Sequence, residues 1–139
     1  MLYGIFVDSK YTGIWTEYDI ESTLDSVRKS IDWIENQANK SGIDLVIKLD
    51  YHKNNESVPI VANFQRKTLS GTLFYTNGIK NIDKWADKVA KEALKPYGPD
   101  TSSATKTKIK PKDREMLLAR VRDVHKTDNV GLIYFINNF

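Results

Sequence analysis

Residues 20–40 read IESTLDSVRKSIDWIENQANK, and the fold class turns on them. Ile20, Leu24, Val27, Ile31, Ile34 and Ala38 recur at alternating steps of four and three, which places them on one stripe of a helix about six turns long. Asp19 or Ser22 is the expected cap, since a short side-chain oxygen can accept from an orphan N–H of the first turn. Lys40 followed by Ser41-Gly42 suits the end, with a cation at the negative pole and a glycine free to turn left-handed. Trp33 and Ile34 widen the stripe, so one broad face is expected to be covered. A helix of this kind needs a partner layer, and the apolar runs on either side of it supply a sheet.

Those runs lie outward in both directions. Residues 2–7, LYGIFV, carry no charge and end at Asp8, which predicts a strand covered on both faces. Residues 11–18 hold Thr12-Gly13 with Trp15 and Tyr18, a connection pinned by its rings. Residues 43–52 alternate, with Ile43, Leu45, Ile47, Leu49 and Tyr51 on one side and Asp44, Lys48, Asp50 and His52 on the other. A half-buried strand, near a sheet edge or with one wet face, is expected there. Pro59 removes a ladder donor from 58–64, so any strand in it is an edge or irregular. A short strand is expected at 72–75, closed by a tight turn at Asn77-Gly78.

A second helix is predicted over 81–94 from Ile82, Trp85, Ala86, Val89, Ala93 and Leu94, stopped by Pro96. Residues 100–110 read as a polar loop. A third helix starts at Asp113 with Leu117, Leu118, Val121 and Val124 inward. Residues 130–136, VGLIYFI, are too short for a helix and apolar on both faces, so a central strand is expected. The fold class is therefore α/β, with α+β as the variant. It is a mixed twisted sheet of about four to five strands under three helices, in one domain over 1–139.

Composition excludes several chemistries. The chain has no cysteine, so no disulfide framework and no thiolate site. No apolar run reaches the roughly 18 residues that span a bilayer, so no membrane partner is expected and a cytoplasmic location is the default. A secreted fragment would look the same. The net charge of +3 is unevenly spread: residues 105–126 hold eight basic against three acidic side chains, a balance of +5 that leaves −2 elsewhere. That segment, with Lys106, Lys108, Lys110, Lys112 and Arg114, could meet an acidic partner. It lacks the interleaved aromatics of a single-strand binder, so nucleic acid is not favoured over a solvated face.

No catalytic or metal motif is legible. His52 and His125 stand far apart, no HExxH occurs, and a closed zinc site wants three or four ligands. His52 reads as solvent-facing on its strand, His125 as a dipole partner at a helix end. Asp8, Asn137 and Asn138 are placed at strand carboxyl ends, where α/β ligands gather, although a strand-terminating turn is the favoured reading of Asp8. The glycines never cluster into a phosphate loop. Catalytic, cofactor-binding and metal residues are thus none.

Residues 26–38, SVRKSIDWIENQA, with Trp15 upstream and Gly42-Ile43-Asp44-Leu45 after, resemble the opening helix and strand of bacterial metzincin-like zinc metalloproteases. Residues 128–138, DNVGLIYFINN, resemble the apolar strand that precedes the zinc helix of that family. The resemblance implies a twisted mixed sheet under a long helix, a peptide substrate, and zinc held by an HExxH helix beyond Phe139. It implies the non-catalytic amino-terminal part of a larger catalytic domain, with no family residue carried onto this chain and no zinc unless an HExxH lies downstream. The alternative is a small protein- or nucleic-acid-binding module that uses segment 105–126 or a sheet edge. The expected partners are a missing carboxy-terminal half or a second copy joined through a sheet edge. Phe139, so close behind an apolar strand, is not expected to be a natural end.

Overall fold

β1 (Leu2–Asp8) is buried from Tyr3 to Val7, as a strand without charge on either face must be, and the rest of the sheet is laid against it. The computed structural model describes residues 1–54, 57–63, 76–98 and 111–137, the side chains of 76–78 excepted. Three further strands, β2 (Leu49–Tyr51), β3 (Ile60–Val61) and β4 (Gly131–Ile136), all pair with β1 in parallel. β1 divides its hydrogen bonds by parity. The Leu2 N–H donates to Lys48 O, Gly4 O accepts from His52 N–H, and Asp8 O accepts from Ala62 N–H, at 2.8, 2.8 and 2.9 Å. On the opposite edge Met1 O accepts from the Gly131 N–H at 2.9 Å. Thus β2 and β3 are two pieces on one edge of β1, and β4 runs along the other from Leu2↔Gly131 to Val7↔Ile136.

Parallel neighbours need crossovers, and helices supply them. α1 (Glu17–Lys40) joins β1 to β2; α2 (Thr76–Leu94) and α3 (Asp113–His125) lie between β3 and β4. The pleat sends alternate side chains to opposite layers. Phe6, with Leu49, Tyr51 and Phe135, packs under Ile20 and Leu24 of α1. Tyr3, Ile5 and Val7, with Leu132 and Tyr134, pack against Val89, Ala90 and Ala93 of α2 and Leu117 and Val121 of α3. The fold is α/β in three layers, with three helices and four strands among the described residues. An antiparallel member of a mixed sheet is not among them.

α1 starts earlier than its stripe suggests. Thr16, not Asp19 or Ser22, is the cap: its Oγ1 accepts from Asp19 N–H at 3.1 Å, while Asp19 Oδ2 accepts from Thr16 N–H at 3.3 Å. This reciprocal box satisfies two orphan donors, which a lone Asp19 cap would not. The far end is as expected, with Gly42 at φ +75°. The broad covered face is not. Ile20, Leu24 and Ile31 are buried, but Ile34 is 40% and Trp33 64% exposed, because the described sheet does not extend beneath that flank.

Three other expectations change. Residues 43–48 join no ladder; the register Leu2↔Leu49 sets them before the start of β1, and Ile47 N–H turns instead to Glu35 Oε1 at 2.6 Å. α2 opens at Thr76, absorbing Asn77-Gly78 into its first turn rather than making a tight turn of them. β4 pairs only with β1 among the described residues, so the central strand is β1 and β4 is an edge. In α3, Leu117 and Val121 are buried as expected while Val124 is exposed. The strand expected at 72–75 and the loop at 100–110 lie outside the described residues.

Candidate functional site

Asp8 and Asn137 stand side by side at the carboxyl ends of the strands, in the positions following the Val7↔Ile136 pair. Both are engaged with the connection into α1. Asp8 Oδ1 accepts from Trp15 N–H at 2.9 Å, Asn137 Nδ2 donates to Ile14 O at 3.1 Å, and Trp15 Nε1 donates to Val7 O at 3.2 Å. The Trp15 ring then stands edge-on to Phe6, with centroids 4.9 Å apart. These bonds aim the amino end of α1, so the polar groups of Asp8 and Asn137 that the sequence placed at the crevice hold residues 14–15. Asn138 lies outside the described residues.

At the amino ends, β1, β2, the last turn of α3 and the 3-10 turn Lys95–Tyr97 that follows α2 converge. Asp50 Oδ2 lies 3.3 Å from His125 Nε2, joining β2 to the last turn of α3. Beside them the Tyr3 and Tyr97 hydroxyls share a hydrogen bond of 3.2 Å. Burial first, then the Tyr97 hydroxyl and the Asp50 carboxylate, push the Tyr3 phenol far above its ordinary pKa, so it stays neutral and is no base. His125 is thus found at a helix end among charges, as its position suggested. His52 is not solvent-facing: it is 2% exposed, its backbone N–H held by Gly4 O, and burial lowers the pKa of its imidazole. The alternation assigned its side correctly, but the face that is wet at Asp50 near the rim is dry two residues further in.

The basic segment is partly consumed by structure. Arg114 Nε donates to Asp87 Oδ1 at 2.7 Å and Nη1 to Asp83 Oδ1 at 3.1 Å, tying α3 to α2. Its guanidinium pKa is raised, chiefly by the Asp87 hydrogen bond. Lys106, Lys108 and Lys110 lie outside the described residues. Among the described residues no group of three or more His, Asp or Glu side chains could hold a metal ion, and no helix is long and apolar enough to cross a membrane.

What the sequence did not reveal is the outer edge of β4. Since the Gly131 N–H turns to Met1 O, ladder geometry directs the groups of Gly131, Ile133 and Phe135 to β1 and those of Leu132, Tyr134 and Ile136 outward. No described residue bonds to those outward groups. Helices overhang them on both sides. Val27, Ser30 and Ile34 of α1 line a groove with Ile133, and Lys112 and Leu118 line another with Leu132 and Tyr134. One signal was present in the sequence: the flank of α1 bearing Thr23, Ser26, Val27, Ser30 and Ile34 is uncharged, whereas Glu21, Arg28, Asp32 and Glu35 fall on the other flank. No protein-family model matches this chain, and neither does any curated protein or solved structure.

Proposed function

We propose that the chain forms the non-catalytic amino-terminal part of a metallopeptidase-like α/β fold, and that its work is to present a sheet edge onto which further chain is added. One observation carries this reading: the outward N–H and C=O groups of Leu132, Tyr134 and Ile136, unpaired among the described residues and overhung on one face by the uncharged flank of α1 and on the other by Leu118 with the charged Lys112, Arg114 and Glu115. An exposed edge of this kind is a template for another strand. Zinc is the metal the sequence resemblance implies, but the described histidines do not fit it. His52 is enclosed in the core and His125 is taken up by Asp50, so no step is assigned to a metal on these residues.

The second reading is a binding module that takes an extended peptide on the same edge. It is favoured over binding through the basic segment because Arg114 is already neutralised by Asp83 and Asp87. The reading frame past the Phe139 codon separates the two. An HExxH there, with zinc-dependent peptide hydrolysis by the longer product, supports the first. A frame without it removes the metallopeptidase and leaves the binding module.

A further inference from the structure

We propose that two copies of this chain join through β4, antiparallel about a twofold axis at Tyr134, to make one continuous sheet. This pairing presupposes the open edge of β4. The outward groups belong to Leu132, Tyr134 and Ile136, an alternating set centred on Tyr134, and such a set is its own complement. In an antiparallel pair, Tyr134 exchanges both bonds with Tyr134 of the second copy, and Leu132 does so with Ile136 of the second copy. The side chains match on both faces. Leu132 falls beside Ile136 and Tyr134 beside Tyr134 toward the α2–α3 layer, and Ile133 falls beside Phe135 toward α1. β4 itself brings no charged side chain to the contact.

Natural edges block such self-pairing with lysine, proline or a bulge, and β4, GLIYFI, has none of these. The flank of α1 above it is uncharged and low. Its Ser26 and Ser30 hydroxyls are already satisfied by Ser22 O and Ser26 O, at 3.0 and 2.9 Å, so two such helices can approach without stranding a donor. Charge selects the antiparallel arrangement. α3 descends from Lys112 at the carboxyl end of the sheet to His125 at the amino end, where it meets Asp50. The twofold brings the turn before β4 of the second copy, with exposed Asp128, to the end where exposed Lys112 stands. Symmetry repeats this opposite-sign pair.

Sedimentation and amide exchange over a concentration series test the pairing. The expected result is a monomer–dimer equilibrium in which the Leu132, Tyr134 and Ile136 amides become protected only as dimer forms. Lys112→Asp and Asp128→Lys should each weaken the dimer roughly tenfold, and the double reversal should restore it. Single reversals without effect on the dimer would overturn the antiparallel register. A dimer that leaves those three amides exposed would overturn the β4 interface. A monomer at every concentration with the three amides exchanging freely would overturn the dimer and leave the open edge standing. A monomer with them protected would overturn both, because the chain's own residues would then fill the edge.

Discussion

Gly4 has no side chain because Phe135 occupies the space one would need. A Cβ built there would lie 2.7 Å from Phe135 Cε2, and that ring is stacked on Phe6 with centroids 4.7 Å apart. Gly4→Ala is therefore expected to destabilise by about 1–3 kcal/mol, as overpacking does, measurable in urea. Companion Phe135→Leu should recover part of the loss by vacating the ring edge. His52 makes a different residue-scale prediction. Its imidazole has a lower pKa folded than in the unfolded chain, where the ordinary value is 6.5, so the unfolded state takes the proton first. Stability is complete above that value and falls with pH through the window down to the folded value, by at most about 1.4 kcal/mol per pH unit. His52→Gln should flatten that slope, and an unchanged slope in the variant would assign it to other groups.

At the scale of elements, α1 was legible because its information is local. The stripe of Ile20, Leu24 and Ile31 is written in the spacing, and all three are buried. Ile31→Asp should cost several kcal/mol by placing an unpaired charge in that layer, and a melting transition equal to the parent's would contradict the packing. The cap is not legible in the stripe because Thr16 precedes the apolar pattern. The start of β2 is illegible for a deeper reason: residues 43–48 alternate like a strand, but a strand needs a neighbour, and β1 begins only opposite Leu49. The same alternation points His52 to water, because it distinguishes sides but not depth along the sheet. Pairing across α2 and α3 is equally invisible locally. Arg114 bridges both helices through Asp83 and Asp87, so Arg114→Ala should lower stability by about 1 kcal/mol at low salt, with the difference shrinking as salt rises.

For the whole molecule, three layers meet at β1, and the candidate site follows from what the sheet lacks rather than from any catalytic side chain. Asp8 and Asn137, legible as a pair at strand ends, serve the entry to α1. The edge of β4 was hidden because an apolar run reads as central whether or not a second neighbour exists. Basic charge gives a weaker prediction: heparin or DNA binding by the intact chain should be slight, and any that occurs should fall steeply between about 50 and 200 mM salt as counterions are released. The central claim is that β1 is the middle strand and β4 an edge left unpaired on its outer side. Residue-resolved amide exchange on the dilute chain tests it directly. Ile133 and Phe135, bonded inward to β1, should be slow, and Leu132, Tyr134 and Ile136 should exchange at near-solvent rates. Uniform protection of all five amides in the dilute monomer would contradict it.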